Sequence, residues 1–167
     1  TWNVNSIVAR MPRLIAWLEE QRPDVLCLQE TKISDEQFPA AAIEAVGYEI
    51  AAHGTGRWNG VALLSRVGLD DVIRGCPGEP GFPELEARAV GANCGGVRVW
   101  SVYVPNGRAL DNPAFPYKMQ WLSALHKVMA EELAAHDRLM LCGDFNVAPS
   151  DEDVWDPAEF VDSTHVT

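Results

Sequence analysis

Four times along the 167 residues an apolar, strand-like run ends in side chains that bind hard cations or phosphate: Asn3 and Asn5, Glu30, Tyr103 with Asn106, and Asp144 with Asn146. Hard divalent cations such as Mg²⁺ or Mn²⁺ prefer oxygen ligands, keep several waters and take few carboxylates from the protein. Glu30 offers a carboxylate and Asn5 a neutral carbonyl oxygen, with Asp144 and Asn146 as further oxygen donors. Set across a phosphate, Asp144 can orient or deprotonate an attacking water. Asn3 and Asn146 can donate hydrogen bonds to carboxylate or phosphate oxygens, and Tyr103 can offer its hydroxyl to a non-bridging oxygen. Each residue alone has a plain structural explanation, such as a solvated strand end for Glu30 or an ordinary turn for Gly143–Asn146. The recurrence after four separate strands is what points to one shared site, because loops leaving the same edge of a layered fold converge.

The elements that must position these groups follow from periodicity. Met11, Leu14, Ile15 and Leu18 recur at helical spacing behind a candidate cap at Ser6, and Pro23–Asp24 stops the helix. Val25–Leu28, Tyr48–Ala52, Val61–Leu64, Val97–Val104 and Leu139–Cys142 read as strands, and Ala40–Val46 as a short helix ended by Gly47. Arg74–Pro83 is rich in glycine and proline and reads as an irregular loop. Behind Pro116, the spacing of Trp121, Leu122, Leu125, Val128, Met129 and Leu133 predicts a long helix. The opening Thr1–Ser6 reads as a strand already in progress, with residues before it.

Composition narrows the partners. No run approaches the roughly 20 apolar residues of a membrane helix and no signal-peptide progression opens the chain, so the expectation is a cytoplasmic protein that does not engage membranes. The four cysteines lie far apart, outside any zinc-ligand spacing, and read as reduced thiols. A formal charge of −11 argues against holding DNA by a broad basic face. A divalent cation between carboxylates and substrate inverts that local field, so charge constrains the mechanism more than the substrate.

The motifs WNVNS, LQETK, NGVALLS, VYVPNG and GDFNVAP, in this order, resemble those of the exonuclease III family within the endonuclease/exonuclease/phosphatase superfamily, from Thr1 to about Pro157. The resemblance implies an α/β four-layer sandwich, two mixed, mainly antiparallel β-sheets face to face with helices outside, of which residues 1–167 form the N-terminal two-thirds of a single domain. It implies a Mg²⁺- or Mn²⁺-dependent phosphodiesterase of DNA repair: an abasic-site endonuclease with 3′-repair diesterase and 3′→5′ exonuclease action, working as a monomer. Its partner is double-stranded DNA with abasic sites or blocked 3′ ends. By the same resemblance Glu30 is the principal metal ligand with Asn5 near the ion, Asn3 and Asn106 face the phosphate site, and Tyr103, Asp144 and Asn146 carry the chemistry. Lys32, Lys118, Arg57 and the segment around Thr164 and His165 are expected to contact the DNA backbone. Family members continue through a catalytic Asp and a Ser-Asp-His motif absent from these 167 residues, so this chain by itself is expected to be inactive, with incomplete sheets prone to aggregation. Two rival readings are a phosphatase or phosphodiesterase of inositol or lipid headgroups within the same superfamily, and a non-catalytic DNA-binding remnant.

Overall fold

Eight strands, β1 (Trp2–Asn3), β2 (Val25–Gln29), β3 (Glu49–His53), β4 (Val61–Ser65), β5 (Asp70–Arg74), β6 (Ala89–Cys94), β7 (Val97–Tyr103) and β8 (Leu139–Asp144), alternate with α1 (Ile7–Gln21), α2 (Ala40–Glu44) and α3 (Ala114–Ala135) in the computed structural model, which describes residues 1–165. They form two open sheets of order β1-β2-β4-β3 and β5-β6-β7-β8. Most neighbours are antiparallel, but each sheet closes one side with a parallel pair, β1 on β2 and β7 on β8. Parallel strands end at the same edge. The registers Asn3↔Gln29 and Tyr103↔Asp144 therefore bring the polar strand ends together in pairs, one pair per sheet, and β1 lies over β8 in the stacked arrangement.

Alternation along the strands builds the layers. Leu26 and Leu28 of β2 face α1, where Ile7, Leu14 and Leu18 cover them. Cys27 between them points the other way and packs with Ala51, Val61, Leu63, Val90, Ala92 and Val99 between the sheets. Trp100 and Val102 of β7 face outward onto Tyr117, Trp121, Leu125 and Val128 of α3. The order α1, sheet, sheet, α3 is the expected four-layer sandwich. Ser6 caps α1 by accepting from the Ala9 amide at 3.5 Å, and Pro116 falls in the first turn of α3, where a missing N–H breaks no helical bond.

Two strands differ from the sequence reading. Arg74, expected to open a loop, closes β5, and β6 was not anticipated. Strand β5 is a polar edge strand with an irregular register, and β6 carries Ala and Gly where β-branched residues would signal a strand. Gly91 is small for a packing reason: a Cβ there would meet the Trp100 ring at 2.5 Å. Among the described residues, no helix is long and apolar enough to cross a membrane.

Candidate active site

The carboxylates of Glu30 and Asp144, from different sheets and separated by more than a hundred residues, meet across one amide. Asn3 Nδ2 donates to Glu30 Oε1 at 2.8 Å and to Asp144 Oδ2 at 2.9 Å. The two oxygens thus lie within two hydrogen-bond lengths of each other. Lys32 Nζ pairs with Glu30 Oε2 at 2.8 Å and also donates to Asn5 Oδ1, and the Asn5 amide returns a bond to Asn3 Oδ1 at 3.1 Å. The Tyr103 hydroxyl faces Glu30. Partial burial works against the Glu30 anion, but hydrogen bonds from Asn3, Lys32 and Tyr103 outweigh it and hold the carboxyl below its ordinary range. Burial and the neighbouring Glu30 charge push the Tyr103 phenol up to about 12, so it remains a donor.

Beside this pair lies an amide and imidazole cluster. Asn106 Nδ2 approaches Asn146 Oδ1 at 3.4 Å and His165 Nε2 at 3.1 Å, and His165 Nε2 lies 3.3 Å from Asn146 Oδ1. Asn146 is tied down by its own amide, which donates to Asp144 Oδ1 at 3.2 Å, and by Nδ2, which donates to the Val104 carbonyl at 2.9 Å. A cleft of about 480 Å³ runs along this edge, with Asn3, Asp144, Asn146, Phe160 and His165 in its wall. Burial and the Lys118 charge keep His165 below the ordinary imidazole value, against the pull of Asp144.

The profile of the Endonuclease/Exonuclease/phosphatase family matches residues 1–164. The chain belongs to this family. Exodeoxyribonuclease III of Haemophilus influenzae is 31% identical over 159 residues, covering 92% of this chain and 59% of that protein. Among solved structures, the 3′ phosphatase NExo from Neisseria bound to a product DNA hairpin superposes with a TM-score of 0.93 at 42% identity, over 99% of this chain and 63% of that one. An AP endonuclease from Archaeoglobus fulgidus gives a TM-score of 0.89 at 35% identity, over 99% and 63%. The chain therefore spans less than two thirds of the length of the relatives it matches. The resemblance to exonuclease III enzymes holds in these relatives.

For a member of this family the oxygen donors are suited to a hard divalent ion. Among the described residues no group of three or more His, Cys, Asp or Glu is arranged to hold a metal ion, but Mg²⁺ and Mn²⁺ sites need few protein carboxylates. Glu30 and Asp144 are like charges held close, offset by the Asn3 amide and the Lys32 ammonium. Asn5 keeps a carbonyl oxygen beside Glu30, shared with Lys32, whereas the Asn146 oxygen is engaged by Asn106 and His165.

The basic residues sort differently from expectation. Lys32 stands at the site and Arg57 is exposed, its guanidinium 5.1 Å from the Trp58 ring, on a loop braced against Lys32 by the bond from the Lys32 amide to the Asn59 carbonyl at 3.0 Å. Lys118, expected to touch the DNA backbone, is instead buried, with Nζ directed at the carbonyls of Asn106, Asn146 and Thr164. Thr164 is buried too, its hydroxyl donating to the Asn106 carbonyl at 2.6 Å. His165, read only as a backbone contact, joins the asparagine pair. Sequence reasoning also missed Gln29 and Ser101. Gln29 Nε2 donates to Ser101 Oγ at 3.0 Å, and that hydroxyl donates to the Leu28 carbonyl at 3.1 Å, tying the sheets together beneath the site.

Proposed function

We propose that the protein carrying this chain is a divalent-metal-dependent hydrolase of DNA phosphoesters that clears blocked 3′ ends and incises at abasic sites. The observation that carries this reading is the Asn3 amide shared between Glu30 and Asp144: a paired-carboxylate site with amide donors around it suits an anionic phosphoester only when a cation mediates. Glu30, with the Asn5 oxygen and Asp144 within reach, would hold Mg²⁺ or Mn²⁺, and the bound ion would neutralise charge on the phosphate. The remaining work belongs to the chain. Asp144 takes the proton of the attacking water or aligns it. Asn3 fixes Asp144 relative to Glu30, Tyr103 donates to a phosphate oxygen, and Asn106 and Asn146 donate where charge builds in the transition state. Lys32 and Arg57 supply cations toward the DNA backbone.

The 3′ end is placed first because the relative at 42% identity is a 3′ phosphatase, and abasic incision second because the relative at 35% is an AP endonuclease. The experiment compares the full-length protein on duplexes bearing a 3′-phosphate, an abasic site or an intact 3′ end, and on inositol phosphates, with Mg²⁺, Mn²⁺ or EDTA. Release from the 3′-phosphate duplex that EDTA abolishes and either ion restores is expected. Turnover of inositol phosphates in preference to DNA would overturn the proposal, as would metal-independent binding of abasic DNA without cleavage.

A further inference from the structure

The apolar face of α3 that covers its sheet runs through Ala114, Tyr117, Trp121, Leu125 and Val128, and one position on that buried face holds an ammonium. Lys118 is 2% exposed. Its Nζ donates to the Asn146 and Thr164 carbonyls at 2.6 Å each and reaches toward the Asn106 carbonyl at 3.5 Å. Among the described residues no carboxylate pairs with it, and desolvation alone pulls its pKa below the ordinary lysine value. A buried cation without a counter-charge is costly, so the position is expensive unless every N–H is used. Three donors meet three carbonyls, from the loop after β7, the loop after β8 and the segment at residue 164. The loop after β7 lies directly on the lysine stem: Gly107 has φ +88°, and a Cβ there would come within 3.1 Å of Lys118 Cδ. On the solvent side of the same loops the Asn106, Asn146 and His165 side chains meet.

We propose that Lys118 is a positioning residue: its ammonium staples the two phosphate-facing loops and the segment at residue 164 from beneath, holding Asn106 and Asn146 in register without touching DNA. This rests on the proposed phosphoesterase reading. A point donor with three divergent N–H groups suits converging carbonyls, whereas methionine fills the space and makes no bond, and the guanidinium of arginine spreads its donors in a plane over three nitrogens and cannot offer three divergent N–H groups from one point.

The test uses the full-length protein and its Lys118→Met and Lys118→Ala variants on a 3′-phosphate duplex. In Lys118→Met, kcat is expected to fall about 100-fold, the scale of a small misplacement of reacting groups, with KM within about twofold and the salt dependence of DNA affinity unchanged from the parent. In Lys118→Ala, propylammonium should restore kcat saturably, and tetramethylammonium should not. A loss confined to KM, with a salt slope shallower by about one ion, would mean a direct phosphate contact and overturn the proposal. So would a kcat close to the parent's. If Lys118→Met does not fold, propylammonium rescue of Lys118→Ala decides alone, and regained folding without regained kcat counts against the staple. Hydrogen exchange supplies a readout free of activity: amides at 104, 106–108 and 145–148 should exchange faster in Lys118→Ala and be slowed again by propylammonium. A parent inactive on every DNA would sink the functional proposal while this readout still judged the staple, and unchanged exchange would sink the staple while the function stood.

Discussion

Asn3 brings no charge to a substrate, yet its amide is what allows Glu30 and Asp144 to share a small volume, each accepting one of its N–H groups. Without it the two carboxylates face each other with Lys32 paired to Glu30 alone, and like charges at that range repel. The Asn3→Ala variant should therefore bind Mn²⁺ about 10- to 100-fold more weakly, the usual effect of removing a group that orients metal ligands, which calorimetric titration would measure. Parent-like affinity would show that the bridge does not matter to the ion. Asp144→Asn keeps shape and removes the proton acceptor, so turnover should drop by about 10²–10⁴ while DNA affinity holds. These residues were legible in the sequence because Glu30, Asp144 and the asparagines stand just after apolar runs. Lys118 and His165 were singled out only as contacts to the DNA backbone; their observed roles were not legible, since their partners are backbone carbonyls and amides of distant segments. One signal was present: Lys118 stands at helical spacing with Trp121 and Leu125, on a face where a charge must be held by something.

At the scale of elements, the parallel pairs β1–β2 and β7–β8 gather the four strand ends, and a buried polar clamp keeps the sheets in register beneath them. Ser101 is fully buried on β7 and accepts from Gln29 while donating to the Leu28 carbonyl. Ser101→Ala leaves the buried Gln29 amide without that partner, so urea unfolding should show a loss of about 1–3 kcal/mol; an unchanged midpoint would mean the clamp is not needed. The β3–β4 hairpin carries a pH dependence of its own. Burial of His53, partly opposed by Asp35 and reinforced by Arg74, lowers its pKa from the ordinary imidazole value. The unfolded chain therefore takes up the proton first. The stability owed to neutral His53 is complete above about pH 6.5, its unfolded value, and is lost as pH falls through the lower folded value. The parent should lose stability relative to His53→Gln on going from pH 7.5 to 5, and parallel profiles from chemical denaturation would refute this. Strands rich in Val, Leu and Ile, and the helix behind Pro116, could be read from period alone. Strands β5 and β6 could not, because a polar edge and an Ala-Gly strand fitted under Trp100 take their conformation from neighbours far along the chain.

Over the whole molecule, 24 acidic against 13 basic residues set a field that repels DNA except where Lys32, Arg57 and a bound cation locally reverse it. The second global feature is a seam. Among the described residues β1 and β8 are edge strands stacked over one another, and between the sheets on that side lies a cleft of about 470 Å³ lined by Val25, Cys27, Val97, Val99, Met140 and Cys142. Strand β8 is only half-buried along most of its length, with Met140 53% exposed, whereas its neighbour β7 is buried at nearly every position. An unpaired edge beside apolar side chains invites another strand. The 167-residue polypeptide on its own should bind the dye ANS and sediment above the monomer mass at micromolar concentration. Met140→Lys places a charge on that edge and should lower both signals, because a strand docking there would have to bury the ammonium. The same substitution lies at the second residue of β8, four positions before Asp144, so the Asn3 bridge to Glu30 should persist in it. A monodisperse, dye-silent parent in sedimentation velocity would show that the seam is closed by the chain's own packing, and the open-edge account of this molecule would fall with it.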